Sequence, residues 1–480
     1  MYGTTLQNIL LGFSAMASLA AAEEVLGVYI FHRHGDRTAK AWKPVNLTSL
    51  GADQVHASGA HYHDRYVSSQ SDLKIQGLSS DVAVLSQLSV VSADDAVLYG
   101  SALTFMQGLY PPTGHSEELA NGTSVEGPLG GYQYIPVEVA SDAASGSKAE
   151  SNTWLQGSSG CSKAEISSNS FLSSELYARV RDESASFFES LHPVVASTFS
   201  EDDMSFENAY DIYDLVNVAT IHNSSVAHDD LLTDAALGRL FGYASVQQWN
   251  LAFNESEAVR AISGAVLGGQ ILEALQAVVD GDDDAATFNV QFGSYGTFMS
   301  FFGLAQLQKA DSAFESIVDY ASSMAFELVS NVTENPTADD ISVRFVFANG
   351  TSAQNELTEY PLFGQSETTI SWADFRKGMS DFSITSDEQW CKQCGNSDGQ
   401  CSSLASSSSS DESGSGSGGS SNGISKPVAG VIGALVTLAV VLGLEAAFML
   451  IGGFTLVRKS ALAAVSAGAA SSQAAGEAKA

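Results

Sequence analysis

The chain has 480 residues, with 21 Lys and Arg against 55 Asp and Glu and a formal net charge of −34. The length allows a large core and more than one structural unit. The charge speaks against nucleic acid as a partner, because phosphate backbones are held by basic faces, and it carries no message about fold.

The first predicted element is a signal peptide over residues 1–22. "LQNILLGFSAMASLAAA" is apolar, too short to span a bilayer comfortably, and ends in small residues, which places cleavage after Ala22. Asn-x-Ser/Thr triplets at Asn46, Asn121, Asn223, Asn254, Asn331 and Asn349 agree with export. "EVLGVYIFHRHG" then opens with a β-rich apolar run, the pattern of an internal strand in a sheet covered on both faces. "LTSLGADQVHASGAHYHDRYV" reads as a helix that Thr48 can cap. "VAVLSQLSVVSADDAVLYGSALTFMQGLYPP" gives strand, loop, helix and a proline stop. This alternation predicts an α/β fold with a parallel-type sheet flanked by helices, its first part spanning 23–162 and its residues 113–160 in loops.

Residues 163–285 carry helix-period apolar positions and are expected to form a helical insertion or cap. Strands resume at "TFNVQFG" and "ISVRFVFANGT", so 286–401 completes the α/β core and ends in a cysteine cluster. Four cysteines, Cys161, Cys391, Cys394 and Cys401, predict two structural disulfides with three possible pairings. The Ser/Gly-rich stretch 402–427 cannot bury a core and reads as a stalk. The apolar run 428–457 is long enough for a transmembrane helix, and Arg458 and Lys459 after it place 458–480 in the cytoplasm. The resulting expectation is a single-pass protein of the secretory pathway, its ectodomain outside the cell or lumenal, at the cell surface or another membrane.

The chemistry concentrates where the first strand ends. Ligands of open α/β sheets bind at the carboxyl ends of strands, so Arg33, His34 and Arg37 are expected to face a pocket. Two guanidinium groups suit a tetrahedral phosphate, and a histidine beside them can attack phosphorus. Gly35 is expected to let the backbone turn tightly beside the bound group. His32 alternates with Arg33 along the strand and is expected to point the other way, into packing.

Arg33-His34-Gly35-Asp36-Arg37 resembles the signature of the histidine acid phosphatase branch of the histidine phosphatase superfamily. "NLTSLGADQ", "SALTFMQGLYPP", "VRFVFANGT" and "YPLFGQ" are similar to later segments of that family, and the likeness runs over most of residues 25–378. The resemblance implies a phosphoglycerate mutase-like sheet with helices on both faces and a helical cap. It implies phosphomonoester hydrolysis through a phosphohistidine, with His34 as nucleophile and Arg33 and Arg37 as phosphate ligands. Two parts that the resemblance leads one to expect are missing. The loop "SADDAVLYGSA" lacks the family's further arginine. Ser294 and Tyr295 stand where the family carries His-Asp, whose aspartate protonates the leaving oxygen.

Other acids are weaker candidates. Asp36, Asp94 and Asp95 read as loop carboxylates, and His228-Asp229 as a solvated helix start. His56, His61 and His63 read as surface residues rather than metal ligands, since two histidines in His-x-His project to different faces of a helix. "DGDDD" at 280–284 reads as a solvated turn, not a calcium site. No cofactor and no metal is expected. Two functions remain open: a membrane-tethered phosphatase with impaired proton donation, or a non-catalytic binding protein that keeps the fold and part of the anion pocket.

Overall fold

The computed structural model describes residues 23–140, 160–397 and 401–402. The expected signal peptide (1–22), transmembrane helix (428–457) and tail (458–480), and nearly all of the stalk, lie outside the described residues.

The first strand, β1 (Glu24–Arg33), alternates its side chains between two cores, as the period of a strand requires. Val28 and Ile30 pack with Val90, Val290 and Phe292, under α1 (Ser49–Tyr62) and α2 (Ala96–Leu109). Tyr29 and Phe31 pack on the opposite face with Phe298, Phe301 and Phe326. That face is covered by α9 (Ile262–Asp280), α10 (Tyr295–Leu304) and α11 (Trp372–Ser380).

The sheet runs β10 (Thr369–Ser371), β8 (Ile341–Ala348), β7 (Ser323–Ser330), β1, β6 (Phe288–Gly293), β2 (Leu88–Ala93), β5 (Glu138–Ala140), with β9 (Thr358–Glu359) paired to β8. β1, β6, β2 and β5 are parallel, whereas β7 to β10 run antiparallel. The sheet is therefore mixed, which corrects the expected parallel-type sheet. The chain passes from β7 to β8 through a loop with only one short helical turn, so no crossover helix is available and the two strands pair as neighbours in a hairpin. Residues 113–140, expected as loops, also hold a two-stranded ribbon, β3 (Ser116–Glu118) with β4 (Ser124–Glu126), and a single turn, α3 (Pro128–Gly131).

The helical segment consists of α4 (Ser162–Ser170), α5 (Glu175–Val195), α6 (Ala209–His222), the short α7 (Ser224–Ala227) and α8 (Asp234–Ala252). Phe187, Phe188 and Leu191 of α5 meet Ile212, Leu215 and Val216 of α6 and Leu240 of α8 in a core of their own. α9 follows in sequence but packs on the sheet. With its preceding turn, Ala258–Asp280 is the one segment among the described residues long and apolar enough to cross a membrane, and its apolar side is buried in the sheet core.

Both expected disulfides form, as Cys161–Cys394 and Cys391–Cys401. Cys391 and Cys394 both belong to α12 (Asp387–Cys394) and bond elsewhere rather than to each other. The first bridge ties the start of α4 to the end of α12 across 233 residues of chain.

Candidate active site

Strand register assembles the site. Arg33 at the end of β1 lies opposite Gly293 at the end of β6, and Ser92 of β2 lies opposite Phe292. β7 runs the other way and begins at Ser323, opposite His32. One edge of the sheet therefore collects the segment after β1, the loop after β2, the start of α10 and the residues before β7. It is the carboxyl edge of the parallel strands, where such sheets place ligands.

The segment after β1 is held from below by the entry to α1. Thr48 caps α1 by accepting from the Gly51 amide and donates its hydroxyl to the Asp36 carboxylate. Gln54 Oε1 accepts from the Asp36 amide at 2.9 Å. Gly35 and Gly51 touch backbone to backbone: a Cβ on Gly35 would stand 2.2 Å from the Gly51 carbonyl oxygen, and one on Gly51 would stand 2.0 Å from that of Asp36. Gly35 is thus required by the close approach of α1, which corrects the expected role beside a bound group.

The three expected site residues converge on one aromatic ring, that of Tyr320. Arg33 Cζ lies 4.5 Å from its centroid, the His34 ring 5.6 Å and Arg37 Cζ 6.0 Å. All three side chains are buried, whereas Tyr320 is half-buried and follows the exposed Asp319. Arg33 donates through Nη1 to the Val318 carbonyl, and its Nε–H has no hydrogen-bond partner among the described residues. Its guanidinium also faces the Tyr295 ring at 5.4 Å.

His34 Nδ1 lies 2.8 Å from the Gly35 carbonyl oxygen. A carbonyl only accepts, so Nδ1 carries the proton and Nε2 keeps its lone pair. Burial first, and then the charges of Arg33 and Arg37, hold the imidazole pKa well below the usual histidine range. The environment therefore favours the neutral imidazole.

Arg37 is bound twice by Asp214 of α6, at 2.7 Å through Nη2 and 3.3 Å through Nη1. Both partners are buried, and Asp214 also accepts from the Lys40 amide at 2.8 Å. Burial opposes the charge on Arg37, but Tyr320 and Asp214 outweigh it and keep the guanidinium firmly protonated. Lys40 Nζ sits 5.0 Å from the Tyr210 ring centroid and 5.8 Å from that of Tyr295. The chemistry available is therefore cationic and aromatic: two guanidinium groups, one ammonium and a neutral imidazole, among tyrosines.

The other candidates fall elsewhere. Asp36 is fully buried and engaged by Thr48 and by His222 Nε2 at 2.6 Å, away from the Tyr320 ring contacts. Asp95 caps α2 through the Val97 and Leu98 amides, and Asp94 is exposed. His228 is exposed, and Asp229 accepts from the Leu231 amide in a local turn. His32 is buried between Phe105 and Phe292, on the face opposite Arg33, as alternation predicts. Its pKa is pushed down to about 4 by burial. His56 is exposed, His61 is half-buried, and His63 Nδ1 meets the Leu109 carbonyl. Tyr295 lies against Arg33 as placed by the β6 register, and its hydroxyl donates to Gln248 at 2.9 Å.

Sequence reasoning missed Lys40, Asp214 and Tyr320. Lys40 lies three positions past Arg37 and was open to view. Asp214 left one trace, a carboxylate on the buried face of α6, in helical register with Tyr210. Tyr320 left none.

The family described as the histidine phosphatase superfamily (branch 2) matches residues 40–348, a segment that begins just after Arg37. No curated protein matches the chain in sequence. Among solved structures, the phytase from Citrobacter braakii aligns with a TM-score of 0.53 at 13% identity, over 78% of this chain and 99% of that one. The phytase of Klebsiella sp. ASR1 aligns with a TM-score of 0.52 at 11% identity, over 75% of this chain and 96% of that one. The phytase of D. castellii aligns with a TM-score of 0.50 at 12% identity, over 84% of this chain and 88% of that one. At such identities the likeness speaks to fold alone.

Proposed function

Because the chain belongs to the histidine phosphatase superfamily (branch 2), we propose that it binds phosphomonoesters at Arg33, His34 and Arg37 and hydrolyses them through His34. The observation that carries this reading is Arg33. Its Nε–H is buried without an acceptor among the described residues, beside a second guanidinium and a neutral imidazole. A buried charged donor left unpaired is costly, and an anionic oxygen relieves that cost.

In the proposed reaction His34 Nε2 attacks phosphorus, an N–P bond forms and the ester P–O bond breaks. The leaving oxygen takes its proton from solvent. Water then attacks the phosphohistidine, the N–P bond breaks, and inorganic phosphate departs while the imidazole is restored. With Tyr295 where the family's acid is expected, substrates whose leaving group needs no proton should react fastest. The test is hydrolysis of p-nitrophenyl phosphate by the purified protein in mild acid. Wild type is expected to turn over and His34→Ala to be inactive; equal rates for the two would remove His34 from the chemistry.

A second reading, a binding protein without turnover, is favoured by Asp214, which fills the fork of Arg37 as a phosphate would. It predicts that inorganic phosphate raises the melting temperature while no hydrolysis occurs. We also propose, from the apolar segments at 1–22 and 428–457 alone, that the protein enters the secretory pathway and is held in a membrane by one span. Alkaline extraction of membranes, which releases peripheral proteins, tests that placement.

A further inference from the structure

The Tyr320 ring lies against all three expected site residues. It covers Arg33, touches His34 and reaches toward Arg37, so a phosphate held by those groups and the ring compete for one volume. The backbone beneath the ring is fastened on both sides. The Asp319 amide donates to Asn349 Oδ1 at 2.8 Å, and Ser322 Oγ donates to the Asp319 carbonyl at 2.7 Å. The Ala321 amide donates to the carbonyl of His34 itself at 3.0 Å, and the Arg33 amide to the Ser322 carbonyl at 2.8 Å. Ala321 adopts a left-handed conformation, φ 59°, which a residue with a Cβ accepts only at a cost. A strained, pinned backbone presents this one side chain to the site, while its half-exposed position leaves a path to solvent.

On the basis of the proposed phosphate site, we propose that Tyr320 gates the anion site of this protein: its ring occludes the site and must swing out to admit a ligand, and the place it vacates sets the ligand preference. The place it vacates is a slot against the Arg33 guanidinium, beside Tyr295 and near Tyr213. A ligand that brings its own ring recovers the stacking on Arg33, whereas one that brings an alkyl group does not. Phosphate esters of aromatic alcohols are therefore preferred over alkyl esters at the level of binding, before any chemistry.

The test is calorimetric titration of the purified full-length protein with inorganic phosphate, methylphosphonate and phenylphosphonate, none of which can be turned over. Phenylphosphonate is expected to bind roughly tenfold more tightly than methylphosphonate. Tyr320→Ala is expected to tighten all three ligands by a similar, roughly tenfold, factor, because the displacement step is gone. Tyr320→Phe, which keeps the ring, is expected to match wild type. If Tyr320→Ala binds phosphate no better than wild type, or less well, Tyr320 does not occlude the site and the inference falls while the phosphate site stands. If phenylphosphonate shows no advantage over methylphosphonate, the aromatic preference falls. If none of the three anions binds any variant, the phosphate site itself is wrong.

Discussion

The tips of β1 and β6 lie side by side, joined through Arg33 and Gly293, and their chemistry differs. After β1, Arg33, His34 and Arg37 supply two cations and a neutral imidazole, held from below by Thr48, Gly51 and Gln54. After β6 stand Ser294 and Tyr295, and the phenol of Tyr295 is buried with its pKa held well above its usual value by burial. A proton donor of that kind gives little help to a departing alkoxide. On the proposed reading, the difference teaches that anion binding and nucleophilic attack would sit on one short segment, while proton donation to the leaving group would belong to another strand.

The largest expected effect probes that division directly. The ratio of kcat/KM for p-nitrophenyl phosphate to that for an alkyl phosphate is expected at about 10²–10⁴, the usual worth of a positioned general acid. A ratio near one would mean that some group beside His34 does protonate the leaving oxygen, and the contrast between the two tips would dissolve.

The next effect is on stability. Asp214→Ala leaves Arg37 buried without its partner and is expected to cost about 3–5 kcal/mol in urea unfolding. The double change Arg37→Met with Asp214→Leu should recover most of that loss, because an apolar pair of similar size carries no desolvation penalty. If Asp214→Ala is nearly neutral, the carboxylate is not what holds the β1 tip to the helical segment.

A slightly smaller effect concerns His32, near the end of β1. His32 is buried with its pKa pushed down to about 4, so the unfolded chain binds its proton first as pH falls below 6.5. Stability from this group is complete above pH 6.5 and is lost as pH falls toward 4, by about 3 kcal/mol in all. His32→Phe should remove that part of the acid sensitivity, as followed by melting temperature across this range. The smallest effect is the cap: Thr48→Ala should cost about 1 kcal/mol, plus whatever Asp36 loses with its hydroxyl donor. A cost near zero would mean that α1 does not support the β1 tip.

What was legible in the sequence followed the chain. The strand, its two-sided alternation, the cap at Thr48 and the cluster Arg33–Arg37 all depend on residues within a few positions of one another, and each can be read from spacing. Asp214 reaches Arg37 from 177 positions away, and Val318 reaches Arg33 from 285, so no local pattern announces either. The antiparallel half of the sheet was hidden for a related reason: β7 was not read as a strand, and strands buried along nearly their whole length look alike whichever way they pair. The four cysteines announced two bridges, but which partners meet was decided by the packing of α4 against α12, not by spacing.

The most direct measurement of the central claim is to trap the covalent intermediate. Purified protein mixed with p-nitrophenyl phosphate and quenched in alkali, where phosphohistidine survives, is digested and sequenced by mass spectrometry. Phosphate on the peptide containing His34, absent from His34→Ala, is the predicted result. Turnover with no phosphate on His34, or with phosphate on another residue, would contradict it.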